Sequence, residues 1–507
     1  MSKKPSILFI TTDEQHVNTI SAFGASSHAT PAIDALIERG TVCNNAYSIS
    51  PVCLPSRCSW MTGLSPHCSG SISNQFGASL SLQYPNLFTE LKKQGYRTSM
   101  HGKCHFVPVP YPATRADTTL EYEHIKLYYT ALGMDHLDLQ DDKNNSLWYY
   151  DDYAKEMENA GYLTEYRRVA HQTPDGKRHF TFPGPAEMHP DSWVKRKAIE
   201  HLDGLSGETP HFMWVSFSGP HYPVDPPAEY LSRVDMAKAV PRVRKPGEWD
   251  DRTKFHHLSY HGPGGTEGSG GAADGAQKNY TEQFWTEWRR AYFANVVQID
   301  HQIGEIVRSA RAKWGDDLMI VFASDHGDMA GNHDLWGKNR SLAEDVVRVP
   351  LVVEYPGQTR GVQTNALVSS LELFPTILDA AGAPIPPCDG RPLKDVIESG
   401  GREHVLSVCD NRVMVMQNSV KLIWNRDERT GTVYRELYDL RSDPHEFENL
   451  FDNGKYASER DGLEQLLARH ESERRLLSTA FYRIGEGQPY WLNDGNGAGL
   501  GVRVPQS

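Results

Sequence analysis

What the 507-residue chain lacks narrows its class. No apolar run approaches the ~20 residues that cross a bilayer, so no membrane span is expected. Cysteine is scarce, at seven residues, an odd number. The spacing fits no zinc site and so long a chain needs no disulfide framework, so reduced thiols are expected. Positive charge is in deficit: 52 Lys and Arg against 65 Asp and Glu leave a formal net charge of −13. That argues against nucleic acid as a partner, and it means that an anionic substrate would need a locally basic cleft. No secretion signal is legible at the start. Met1-Ser2-Lys3-Lys4-Pro5 is basic, but the apolar run from Ser6 to Ile10 meets Asp13 and Glu14 almost at once. A cytoplasmic location is the default expectation, unless a leader was trimmed before this numbering. The rest of the composition, 39% hydrophobic and 23% charged, is that of a soluble globular protein with two domains or one large domain and an appendage.

The most informative stretch runs from Ser50 to Gly63 (Ser-Pro-Val-Cys-Leu-Pro-Ser-Arg-Cys-Ser-Trp-Met-Thr-Gly). Cys53 lies two residues before Pro55, and proline is tolerated in the first turn of a helix. Cys53 is therefore expected at a helix N-terminus, where unpaired N–H groups and the helix dipole favour an anion. Arg57, about one turn later, can reach the same anion. From the residues alone, Cys53 is a buried small hydrophobe or a reactive thiolate.

Other candidates fall at the ends of short apolar, β-rich runs. In open α/β sheets ligands bind beyond the carboxyl ends of strands. Residues 6–12 form such a run, and Asp13-Glu14-Gln15-His16 follow it. These carboxylates are either an acidic turn or ligands for a hard cation. A strand near Tyr96 ends in His101-Gly102-Lys103-Cys104-His105. Residues 211–218 form another, followed by Gly219-Pro220-His221-Tyr222-Pro223, whose prolines restrain the backbone around His221. Residues 317–323 form a third, ending in Ser324-Asp325-His326, with His333 and Lys338 downstream. Helices are expected over Pro31–Gly40, Asp191–Leu205, Thr281–Trp314 and Ser369–Gly382, and a strand over Pro350–Tyr355. Two long excursions, about 107–190 and 222–280, read as insertions. The Gly-rich stretch Gly262–Gly275 reads as a lid or surface loop rather than a phosphate-binding loop. After residue 400 the runs shorten and alternate (404–409, 412–417, 420–424, 432–440), as in an antiparallel sheet, before a helix over 457–478.

Cys53-Leu54-Pro55-Ser56-Arg57 with Met61-Thr62-Gly63 resembles the signature of the formylglycine-dependent (type I) sulfatases of the alkaline-phosphatase superfamily. The likeness extends in order through Asp13, Lys103 to His105, His221, Asp325-His326 and Lys338 to the Leu437–Leu450 segment. It implies an α/β fold: a large domain with a mixed, mostly parallel sheet sandwiched by helices, and a small C-terminal domain with a four-stranded antiparallel sheet. The expected division is 1–400 and 401–507. It further implies that a formylglycine-generating or other sulfatase-maturing enzyme oxidises Cys53 to formylglycine, whose hydrate attacks sulfur. A divalent metal, calcium by resemblance with manganese or magnesium as alternatives, would be held by Asp13, Glu14, Asp325 and His326 together with residue 53. The family has an aspartate where Glu14 stands.

Asp325 would act as base. Arg57, Lys103 and Lys338 would neutralise sulfate oxygens, and His221 with Lys338 would protonate the leaving alcohol. His105 would expel sulfate, and His333 would contact substrate. The implied partner is a sulfated small molecule or oligosaccharide, with carbohydrate sulfates first and aryl or choline sulfates as alternatives. A phosphonate monoester or phosphodiester hydrolase with the same formylglycine is the competing activity, although such relatives tend to carry glutamine after the first aspartate. A silent binding protein of the same fold is the non-enzymatic alternative, and a homo-oligomer is compatible with the chain.

Overall fold

In the computed structural model the described residues are 4–74, 79–108, 120–143, 149–172, 179–206, 209–261, 277–338, 341–427 and 430–484. The Gly262–Gly275 stretch and the Gly-rich tail lie outside them. Fourteen strands are described, as β1 Ser6–Asp13, β2 Thr41–Tyr47, β3 Arg97–Gly102, β4 Leu120–Glu121, β5 His136–Leu139, β6 Tyr149–Tyr150 and β7 His211–Pro220, then β8 Leu318–Ser324, β9 Leu351–Glu354, β10 Val362–Ser369, β11 Val405–Cys409, β12 Arg412–Gln417, β13 Val420–Arg426 and β14 Val433–Asp439. Eight of them form the main sheet in the order β10-β2-β9-β8-β1-β7-β3-β5. All neighbours in it run parallel except β9, which is antiparallel to both β2 and β8. The small β4 and β6 pair only with each other.

The centre of the sheet explains its sequence. β1 lies between β7 and β8, and every residue of all three strands is buried. A strand covered on both faces needs a continuous apolar run rather than alternation. Helices Pro31–Arg39, Pro190–Gly204 and Glu282–Trp314 pack together as one group on the sheet, and Cys53–Thr62, Leu87–Lys93 and Leu373–Ala380 as a second. Pro31 opens its helix at the first position, and the Thr281 hydroxyl caps the Glu282–Trp314 helix by accepting from the Phe284 amide. Among the described residues no helix is long and apolar enough to cross a membrane. All seven cysteines are free thiols.

β11 to β14 form a separate four-stranded antiparallel meander. Asn418 and Ser419 turn between β12 and β13 with φ of 52° and 62°, the left-handed pair that a tight two-residue hairpin requires. The Ala457–Ile484 helix covers this sheet through Leu463 and Leu467.

The expected strands and helices lie within a few residues of the observed ones. The excursion over 107–190 is more than an insertion: it supplies β5, the edge strand of the main sheet, paired with β3. At only four residues, β5 is too short to stand out in a sequence. β2 and β10 also lacked a sequence signal, because polar residues interrupt both.

Candidate active site

Cys53 is the first residue of the Cys53–Thr62 helix, whose ten residues are all buried. Gly63 ends the helix in the left-handed conformation (φ 69°). The Asn74 side chain takes up one unpaired donor of the helix start, its Oδ1 accepting from the Leu54 amide at 3.1 Å.

The carboxyl ends of β1 and β8 bring Asp13, Asp325 and His326 to this helix end. One ligand atom each from Asp13, Cys53, Asp325 and His326 falls within 4.8 Å of the others, and all four residues are buried. His326 Nδ1 donates to the Gly327 carbonyl at 2.9 Å, which leaves Nε2 facing Cys53 Sγ at 3.5 Å and Asp13 Oδ1 at 3.5 Å.

Basic groups surround the cluster. Arg57 Nε donates to Asp325 Oδ2 at 2.8 Å, and its Nη1 donates to Ser216 Oγ at 2.7 Å and to the Lys103 carbonyl at 3.1 Å. Lys103 Nζ pairs with Asp13 and also with Asp142, at 2.5 Å. Gly102 permits this approach: its φ is +100°, and a Cβ there would meet the Ser216 carbonyl oxygen at 2.0 Å. Lys338 Nζ lies 3.1 Å from Glu14 Oε2 and 2.7 Å from His221 Nε2. His221 Nδ1 faces the Tyr222 carbonyl at 2.6 Å, so it carries the proton and Nε2 accepts from Lys338. His105 and His221 both lie near enough to the Cys53 sulfur to favour its ionised form.

The electrostatics favour negative charge at position 53. Burial opposes ionisation of the Cys53 thiol, but Lys103 and Lys338 pull it well below its usual range. Burial would also raise Asp13, as would the Cys53 sulfur, yet Lys103, His221 and Arg57 hold it below the usual carboxylate range. Asp325 is pushed up, first by burial and then by the Asp13 carboxylate. Against burial, Asp325 and the Cys53 sulfur draw a proton onto His326. Glu14 at φ 63° and His105 at φ 50° sit in the left-handed region, at about 1–2 kcal/mol each. Such backbone strain clusters at functional sites.

Residues 5–383 match the profile of the family described as Sulfatase. The chain belongs to the sulfatase family. Residues 331–473 also match the profile described as N-sulphoglucosamine sulphohydrolase, C-terminal. This sulfatase is 28% identical over 470 residues to a choline-sulfatase of Rhizobium meliloti, covering 89% of this chain and 83% of that one. It is 25% identical over 530 residues to an N-acetylglucosamine-6-O-sulfatase of Bacteroides thetaiotaomicron, covering 92% and 86%. Its fold resembles a phosphonate monoester hydrolase of Agrobacterium radiobacter, with a TM-score of 0.75 and 21% identity over 93% of this chain and 96% of that one. By family it is an enzyme, a sulfuric ester hydrolase.

The residues singled out in the sequence divide here. Asp13, Cys53, Arg57, Lys103, His105, His221, Asp325, His326 and Lys338 converge. Glu14 does not join the four potential ligand atoms. Its carboxylate turns to Lys338, His221 and Asp328, and burial with the Asp328 and Asp13 charges raises it well above the usual range. The physical reason is charge: the Lys338 ammonium, 3.1 Å away, holds the Glu14 carboxylate. His333 is also placed elsewhere: Nδ1 bonds Glu248 Oε1 at 2.8 Å, and Nε2 is 3.7 Å from Asp345.

Sequence reading missed Asn74, Ser216, Asp328 and the pair Asp141-Asp142. Asp141 Oδ1 accepts from the amides of Cys104 and His105, at 3.0 and 2.7 Å, and so fixes the loop that carries His105. The only signal was two adjacent acids after a short apolar alternation, inside a stretch read as an insertion.

Proposed function

We propose that this sulfatase hydrolyses the sulfate esters of carbohydrates, with residue 53 in its formylglycine form and a divalent cation beside it. One observation carries the reading: two carboxylates, an imidazole and residue 53 converge within 4.8 Å, ringed by three buried cations in a chain of net charge −13. The donor set fits a cation. Asp13 Oδ1 is buried and accepts no hydrogen bond among the described residues, which leaves it open to a cation. Asp13, Asp325 and His326 would hold it. The two carboxylates suit calcium, and the imidazole suits manganese or magnesium no worse. When present, the cation supplies Lewis-acid polarisation of the sulfate, and formylglycine supplies a hydroxyl nucleophile.

The chain's own residues do the rest. Cys53 Sγ marks where the oxygens of the modified side chain would stand. Lys103, Lys338 and Arg57 bind and orient the sulfate oxygens, and their burial makes each charge count for more as charge shifts in the transition state. Asp325, pushed up by burial and Asp13, accepts a proton from the residue-53 side chain. His221 Nε2 takes a proton from the Lys338 ammonium 2.7 Å away and passes it to the leaving alcohol oxygen. His105, close to the same side chain and with its backbone amide held by Asp141, takes the second proton when sulfate departs. The strongest support for a sugar is the match over residues 331–473 to a domain described for a sulphoglucosamine enzyme.

Peptide mass spectrometry across Cys53, on protein co-produced with a formylglycine-generating enzyme, tests the nucleophile. An intact thiol beside a modified control protein overturns it. Rates on sulfated monosaccharides, choline sulfate, aryl sulfate and aryl phosphonate then test the substrate. Preference for the phosphonate would replace this reading with that of a phosphonate monoester hydrolase.

A further inference from the structure

The edge of the main sheet carries an unusual polar cluster away from Cys53. His136 and Asp138 alternate along β5, so both point to one face. His101 on β3 stands directly opposite Asp138 in the strand register. His201, from the Pro190–Gly204 helix, stacks on the His136 ring at 4.2 Å between centroids and 19° between planes, and lies 5.0 Å from the His101 ring. His211 on β7 completes the group, its ring 5.4 Å from that of His201 and its Nε2 2.9 Å from Ser99 Oγ.

We propose that His101, His136 and Asp138 form a second metal site, for a divalent transition ion of the zinc class. One ligand atom from each falls within 4.8 Å of the others. Asp138 Oδ2 is 2.8 Å from both His101 Nδ1 and His136 Nε2, so the three ligands already converge. His101 is wholly buried and offers Nδ1, the nitrogen beside Asp138, to the ion; the unbonded Nε2 atoms of His101 and His201 are not part of the site.

Two imidazoles and one carboxylate are a borderline donor set that suits zinc better than calcium. The side chain of His136, 40% exposed, gives the ion its way in. The ion would tie β5 to β3. Those two strands lead directly to Asp142 and Lys103, which pair at 2.5 Å beside the active site.

The test uses the full chain, stripped of metals and then supplied with excess calcium, which occupies a hard oxygen-rich site. Zinc is added, the excess is removed by gel filtration and bound zinc is counted. The expected result is one tightly held zinc per wild-type chain, with zinc raising the thermal midpoint. His136→Ala and Asp138→Asn should each weaken zinc binding by about 1,000-fold or more, beyond the 10–100-fold seen for outer-shell changes. Asp325→Asn should leave it intact. Thermal midpoints without zinc check that the variants fold. A wild type that retains no zinc overturns the site, as does zinc kept by both edge variants. Zinc lost only with Asp325→Asn would overturn it too, by placing the ion beside Cys53.

Discussion

Two buried charge clusters, one at Cys53 and one at His333, are built from the same residue types and differ in how their valences are used. Around His333 the charged groups pair with one another. His333 bonds Glu248, Glu248 takes Lys254 at 2.9 Å, and Lys254 also donates to the Glu446 carbonyl at 2.9 Å. The cavity among these groups has room for about one water, near 30 Å³. Around Cys53 polar atoms are left over: Asp13 Oδ1, Glu14 Oε1, Arg57 Nη2 and His105 Nδ1 have no hydrogen-bond partner among the described residues. Most buried polar groups in a folded chain are matched, so four unmatched atoms in one buried charged cluster leave room for a group that completes them.

Removing the attacking residue should break this contrast most sharply. Cys53→Ala should cut multiple-turnover sulfatase activity by about 10⁴-fold or more while leaving the thermal midpoint within a few degrees. Steady-state kinetics beside a melting curve checks both. Chelation should abolish activity next, with recovery on adding back calcium, manganese or magnesium identifying the ion. Lys338→Ala should lower kcat/KM by about 10²–10³-fold, the size of one lost oxyanion contact. Its kcat deficit should be smallest for aryl sulfates with good leaving groups, because these need least help from the His221–Lys338 pair. His333→Gln should do the opposite: kcat within about threefold of wild type, and a stability loss of about 1.5–3 kcal/mol in denaturant titrations.

The smallest effect is a pH dependence of that loss. Although burial opposes its charge, Glu248 and Asp345 raise His333 above 6.5, so its stabilisation is full below 6.5 and fades as pH rises through the raised value. Glu248 is lowered from 4.5, since His333 and Lys254 outweigh burial, so its stabilisation is full above 4.5 and fades as pH falls. The gap between wild type and His333→Gln should therefore be widest between about pH 4.5 and 6.5 and should narrow towards alkaline pH. A gap that is flat with pH would mean that His333 acts through packing alone.

Much of this arrangement was legible before folding. The strands ending in Asp13, His221 and Asp325 announced themselves because double burial forces continuous apolar runs, and their ends are where an α/β sheet binds ligands. β2, β5 and β10 did not, since partial exposure or brevity removes the pattern. Asp141 and Asp142 were illegible for the same reason: their importance comes from lying beside β3, some 40 residues away in sequence, as the Lys103–Asp142 bond shows with its separation of 39 residues.

The sequence by itself determined the chemistry on offer: a cysteine at a helix start, an arginine one turn on, and acids, imidazoles and lysines at strand ends. Local rules suffice for that, because helix starts and strand ends are encoded within a few residues. Only the tertiary structure decided which of these groups share a volume. It brought His105, His221 and Lys338 to Cys53, turned Glu14 towards Lys338, and placed His333 in a satisfied network with Glu248. Contact between distant segments depends on sheet order and register, and those follow from burying the whole chain at once.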